Sequence, residues 1–125
     1  MMRAILATLL GYAVWTAIWL GGNSVLFKQA AEVVGAGERY TAVGPLVGAL
    51  VLSLVCSLVA GAVAGKLAST TRPVLVLAGL LLLTGLGVQA SVWDLMPVWY
   101  HAPFLVLLVP VTRLGGALGG ARPEA

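Results

Sequence analysis

The sequence predicts an all-α integral membrane protein: one four-helix bundle, both termini on the cytoplasmic side, with a short amphipathic segment after the first span. Three observations predict it. Of its 125 residues 61% are hydrophobic and only 9% charged, where soluble domains carry about 25% charged residues. The mean hydropathy is +1.07. The apolar residues gather into four runs, each near the ~20 residues that cross ~30 Å of hydrocarbon at 1.5 Å per residue. The basic residues flank those runs instead of interrupting them. Spans are expected at about 4–22, 42–65, 74–93 and 98–118 in a single domain, with residues 119–125 a disordered tail.

The first run starts at Ala4. Its Met-Met-Arg opening has the form of a secretory signal, but the apolar stretch is long for one, carries Trp15 and Trp19, and leads into no A-x-A cleavage site. A retained helix is expected. At 100° per residue, Thr8, Tyr12, Trp15, Thr16, Trp19 and Asn23 share one narrow arc. Tyr12, Trp15, Thr16 and Trp19 form a candidate intramembrane polar face, since hydrocarbon offers a hydroxyl no partner. Such a face either bonds neighbouring helices or meets a ligand.

From Ser24 to Val34 the sequence is amphipathic, with Lys28 and Glu32 one helical turn apart, and is expected to lie on or near the outer interface until Gly35-Ala36-Gly37 breaks it. The second run holds Gly44-x-x-x-Gly48, Gly61-x-x-x-Gly65, and Ser53 and Ser57 one turn apart. Small residues at that spacing let backbones approach, within one chain or between copies. Cys56, the single cysteine, lies in the same run and reads as a small packing residue.

Lys66 and Arg72 bracket a short turn, and Pro73 suits the first turn of the third helix. Gly85, Gln89 and Trp93 then recur every four residues and bring an amide and an indole to the same end as Asp94. The fourth helix begins near Pro97. His101, Leu105, Leu108, Thr112, Gly115 and Gly119 share a face there. Pro110 cannot donate to the carbonyl of Val106, so a local rearrangement is expected.

Arg3, Lys66, Arg72, Arg113 and Arg122 fall on one side of the bundle, while Lys28 and Arg39 on the other are offset by Glu32, Glu38 and Asp94. The positive-inside rule therefore puts both termini in the cytoplasm, in a bacterial cell the inner membrane's cytoplasmic face. Asp94, His101, Trp93, Trp99, Tyr100, Gln89 and Asn23 become a candidate functional cluster at the outer interface. Trp15, Trp19, Trp93, Trp99 and Tyr100 read as an aromatic belt there. His101, the only histidine, is seven residues from Asp94, close enough for a His–carboxylate contact across the turn.

The scattered basic residues exclude a nucleic-acid surface. No catalytic triad, H-E-x-x-H, phosphate-binding glycine loop or paired intramembrane carboxylate is present, so no catalytic residue, cofactor or metal is assigned. One histidine is too few for bis-His haem or for zinc within one chain. In length and span number the chain is similar to the small multidrug-resistance transporters, whose coupling needs a glutamate in the first membrane helix; this first helix has no acid. The expected role is an accessory, assembly or structural subunit whose partners are the lipid bilayer and another membrane protein or a second copy. One alternative is an oligomeric transporter or channel for a neutral solute, lined by Tyr12, Thr16, Asn23 and Gln89. Another is a membrane enzyme or redox component using Asp94 and His101.

Overall fold

The computed structural model describes residues 2–26, 32–33, 36–37, 43–91, 93–95 and 97–122. It is all-helical: α1 (Met2–Leu26), α2 (Val43–Ala68), α3 (Thr71–Ser91) and α4 (Val98–Leu118), with a single 3-10 turn, Trp93–Leu95, between α3 and α4. All four α-helices are long and apolar enough to cross a membrane. Their outer faces are apolar as well: Val47, Val51, Val55 and Val59 form an exposed stripe along α2, and Leu83 and Val106 are exposed on α3 and α4.

The helix ends differ from the expected ones in a consistent way. α1 runs past residue 22 to Leu26, α2 past residue 65 to Ala68, and α3 begins at Thr71, ahead of residue 74. Polar residues at these ends, Asn23, Ser24, Lys66 and Arg72, continue the helices that hydropathy alone would cut short. Of the amphipathic segment expected over 24–34, residues 27–31 and 34 lie outside the described residues. Ala36 N donates to Glu32 O at 3.1 Å, and Gly37 takes a φ of +79°, a conformation glycine adopts without steric cost.

Around the bundle the helices follow the order α1, α2, α4, α3. The closest junction is α2 on α4, and its cause is the absence of side chains. A Cβ built on Gly61 would fall on the Thr112 carbonyl oxygen, one on Gly65 on the Gly116 carbonyl oxygen, one on Gly115 on the Leu58 carbonyl oxygen, and one on Gly119 on the Ala62 carbonyl oxygen. The Gly61-x-x-x-Gly65 pair thus packs within the chain. Apart from Leu46, the rest of the buried α2 face is also small: Ala49, Ser53, Cys56, Ser57, Ala60 and Ala64. Gly44 of the other pair faces open space.

The C-terminal tail requires a correction. Gly119 to Arg122 were expected to fray, and instead α4 ends in a Schellman arrangement. Ala121 N donates to Gly116 O at 2.9 Å and Gly120 N to Ala117 O at 3.1 Å, with Gly120 at φ +105°. Arg122 then pairs with the α2–α3 turn: its N donates to Ser69 O at 3.1 Å and its O accepts from Thr71 N at 3.0 Å. Ser69 itself closes α2, donating to Gly65 O at 2.8 Å, with φ +65°. The Arg3 guanidinium donates to Leu67 O, a terminal carbonyl of α2, and reaches Ser69 Oγ at 3.4 Å. A cation suits the negative end of the α2 dipole. Residues 123–125 lie outside the described residues. α4 continues as one α-helix through both Pro103 and Pro110, and Thr112 Oγ1 donates to Leu108 O at 2.7 Å.

Glycine substitutions separate the two kinds of position. Gly61→Ala must push α4 off α2 and is expected to destabilise the bundle by about 1–3 kcal/mol or more, the usual cost of overpacking. Gly79→Ala on an open face should be neutral or stabilise by up to ~1 kcal/mol through helix propensity. Unfolding in mixed micelles by denaturing detergent reads both, and equal midpoints for the two variants would contradict this packing.

Candidate functional site

At the end of the bundle opposite Arg3, Lys66, Arg72, Arg113 and Arg122, a polar and aromatic cluster joins α3 to α4. Gln89 on α3 and His101 on α4 are both fully enclosed, at 1% and 0% exposure. They meet there because Gly85, one turn before Gln89, lets Phe104, Leu105 and Leu108 of α4 approach α3. Pro97 opens α4 with an extended backbone, φ −70° and ψ 152°, and its carbonyl accepts from Tyr100 N at 3.0 Å and His101 N at 3.4 Å. The first turn of α4 is thereby fixed with His101 facing inward.

Both ring nitrogens of His101 are engaged. Nε2 lies 3.1 Å from the Trp93 carbonyl oxygen and Nδ1 meets the side-chain amide of Gln89. A carbonyl only accepts, so Nε2 carries a proton. A neutral ring then accepts at Nδ1 from the Gln89 amino group, whereas an imidazolium donates to its carbonyl oxygen; a half-turn of the amide interconverts the two arrangements. The Trp93 indole covers the imidazole face, with centroids 4.3 Å apart and planes 12° from parallel. Tyr100 is edge-on to His101 at 5.8 Å, and its hydroxyl interacts with the Gln89 side chain.

The spacing of Asp94 and His101 allowed a contact, but His101 takes Gln89 and the Trp93 backbone instead. Asp94 sits on the 3-10 turn and is exposed. Asn23 also stays apart, its Nδ2 donating to Trp19 O at 2.8 Å on its own helix. The belt expectation needs correcting too. Trp15 and Tyr100 are buried at 3% each: Trp15 stacks on Trp19 at 5.7 Å, both indoles meet Phe104 edge-on at 6.5 and 5.2 Å, and Tyr100 lies 6.1 Å from the same Phe104 ring. Only Trp93 and Trp99 present large exposed areas, 42% and 41%.

The polar face of α1 is satisfied partly by neighbouring helices and partly by α1 itself. Thr84 Oγ1 donates to Leu80 O at 2.9 Å, so its single proton is committed and the Tyr12 hydroxyl donates to it at 2.7 Å. Trp15 Nε1 donates to Ser57 Oγ at 3.2 Å. Thr16 returns to Tyr12 O at 2.9 Å, and Thr8 to Ala4 O at 3.0 Å. Thr84, Ser57 and Phe104 were absent from the candidate residues. The usable signal was depth: Tyr12 and Thr84 lie about 15 and 20 Å from the same end of the bundle, as do Ser57 and Trp15 at about 17 and 20 Å, counting 1.5 Å per residue.

Among the described residues no three His, Cys, Asp or Glu side chains gather into a possible metal site. Comparison with protein-family models, with curated proteins and with solved structures finds no match to the chain.

The Gln89–His101 pair makes a double-mutant prediction. His101→Leu alone leaves the buried Gln89 amide with only its Tyr100 contact and should cost about 1–3 kcal/mol. Adding Gln89→Leu should recover a measurable part of that loss, because replacing both partners with apolar groups removes the unpaired group. Strictly additive losses in the unfolding cycle would show that the two side chains do not act on each other.

Proposed function

We propose that this protein is a small accessory or assembly subunit of the bacterial inner membrane, with both termini cytoplasmic, that acts by binding another membrane protein or a second copy of itself. One observation carries the reading: among the described residues, no buried side-chain nitrogen or oxygen lacks a hydrogen-bond partner. A transport path or catalytic site in hydrocarbon needs polar groups presented to its solute. Here Tyr12 and Trp15 bond other helices, Thr16 and Asn23 bond their own, and Gln89 bonds His101. The interior works as internal fastening.

Recognition then falls to the outside. Trp93, Asp94 and Trp99 are exposed at the Gln89–His101 end of the bundle, and indole rings suit both the headgroup level of a bilayer and the core of a protein interface. The cytoplasmic placement of the termini rests on the basic residues, which among the described residues all sit at the end holding the α1 start and the α4 end: Arg3, Lys66, Arg72, Arg113 and Arg122.

Native mass spectrometry of the protein extracted gently from its own membrane tests this. The expected result is a stoichiometric complex, with a foreign subunit or a second copy, from which Trp99→Ala dissociates while the thermal midpoint of the chain stays unchanged. A strictly monomeric protein that carries a neutral solute across proteoliposomes would overturn the reading.

A further inference from the structure

Two shallow grooves flank the start of α1, and they differ in charge. One, of about 390 Å³, is lined by Leu6, Leu9, Leu10, Ala13 and Leu67 and has no charged residue along it. The other, of about 260 Å³, lies between the first turns of α1 and α3; Ala4, Ile5, Thr8, Leu9, Pro73 and Val76 line it together with Arg72, its one charged residue. Its floor is fixed because Thr8 Oγ1 bonds Ala4 O at 3.0 Å and approaches Pro73 O at 3.4 Å, which leaves the groove no polar atom seeking water. It is smaller than the ~300–1,000 Å³ of a typical solute pocket.

We propose that this second groove holds one anionic phospholipid, with an acyl chain along Ile5, Leu9 and Val76 and the phosphate at Arg72. The proposal rests on the membrane setting given above and on no protein partner. Three features carry it. The lining is apolar for more than a helical turn and opens outward, so in a bilayer it is filled by lipid chain; an empty apolar gap would forfeit dispersion contacts. A guanidinium one turn, or about 6 Å, from Val76 along the α3 axis meets the headgroup of a lipid whose chain lies in the groove. Arg72 also interacts within the chain, and five N–H donors in a planar fork allow it to take a phosphate as well. Arg3 and Lys66, exposed at the same end of the bundle, add positive potential that favours an anionic over a zwitterionic headgroup.

The experiment uses the full chain in nanodiscs of phosphatidylcholine with a minor share of phosphatidylglycerol, released for native mass spectrometry, with the composition of the retained lipid as readout. Co-elution of the chain with the nanodisc after an alkaline carbonate wash, with helical circular dichroism showing that it is folded, is the separate check on the membrane setting. The wild-type protein should retain one phosphatidylglycerol, enriched several-fold over its bulk share. Arg72→Gln should return the retained lipid to bulk composition, Arg72→Lys should keep part of the enrichment, and Ala4→Phe should expel the lipid by filling the groove. Arg113→Gln, at the same end but outside the groove, and Ala13→Leu, in the uncharged groove, should leave the enrichment unchanged. No enrichment in the wild type, equal loss in Arg72→Gln and Arg113→Gln, or full enrichment in Ala4→Phe would each overturn the proposal.

Discussion

The approach of α2 to α4, backbone against backbone, is the constraint from which the remaining geometry follows. In hydrocarbon, burying apolar side chains gives helices little reason to associate, since lipid tails solvate them equally well. What remains is dispersion at short range, and a gap of under an ångström already loses a quarter to a half of it. Gly61, Gly65, Gly115 and Gly119 remove the side chains that would hold the two helices apart. That seam fixes both ends of α4. One end sends Gly120–Arg122 back to the Ser69 turn, and the other brings His101 opposite Gln89.

A second layer of order comes from hydroxyl, indole and amide groups. Each polar group inside an apolar bundle either returns to its own helix or finds a partner on another, because an unpaired one is costly. Thr8, Thr16, Ser53, Thr84 and Thr112 return to carbonyls three or four residues back. Tyr12–Thr84, Trp15–Ser57 and Gln89–His101 cross between helices. The crossing bonds add about 0.6 kcal/mol each, up to about 1.7, by the general experience with membrane helices. Their main effect here is register: each pairs two residues at a matching depth.

The four helices were legible in the sequence because hydropathy over ~20 residues is a strong signal with one physical source. The partners were not. Periodicity placed Tyr12, Trp15 and Thr16 on one face of α1, and composition could not say that Thr84 and Ser57 would receive the first two. The seven-residue spacing of Asp94 and His101 fits a contact, but Pro97 starts α4 so that the imidazole turns toward Gln89. The tail was misread for a related reason. A Gly-rich run looks disordered by composition, whereas Gly119 is needed for the close approach to Ala62 and Gly120 for a left-handed backbone.

The bundle interior is closed and its polar groups serve the fold, and Cys56 is a built-in reporter of that closure. It is the single cysteine of the chain and has no exposed surface, enclosed on the small-residue face of α2. A thiol reacts as the thiolate, which forms only where water reaches it. The most direct measurement is the labelling rate of Cys56 by a water-soluble maleimide in sealed vesicles, compared with the same protein unfolded in denaturing detergent. A closed interior gives no labelling of the folded protein and full labelling after unfolding. Rapid labelling of the folded protein would mean that an aqueous path runs into the bundle, and would contradict a closed interior.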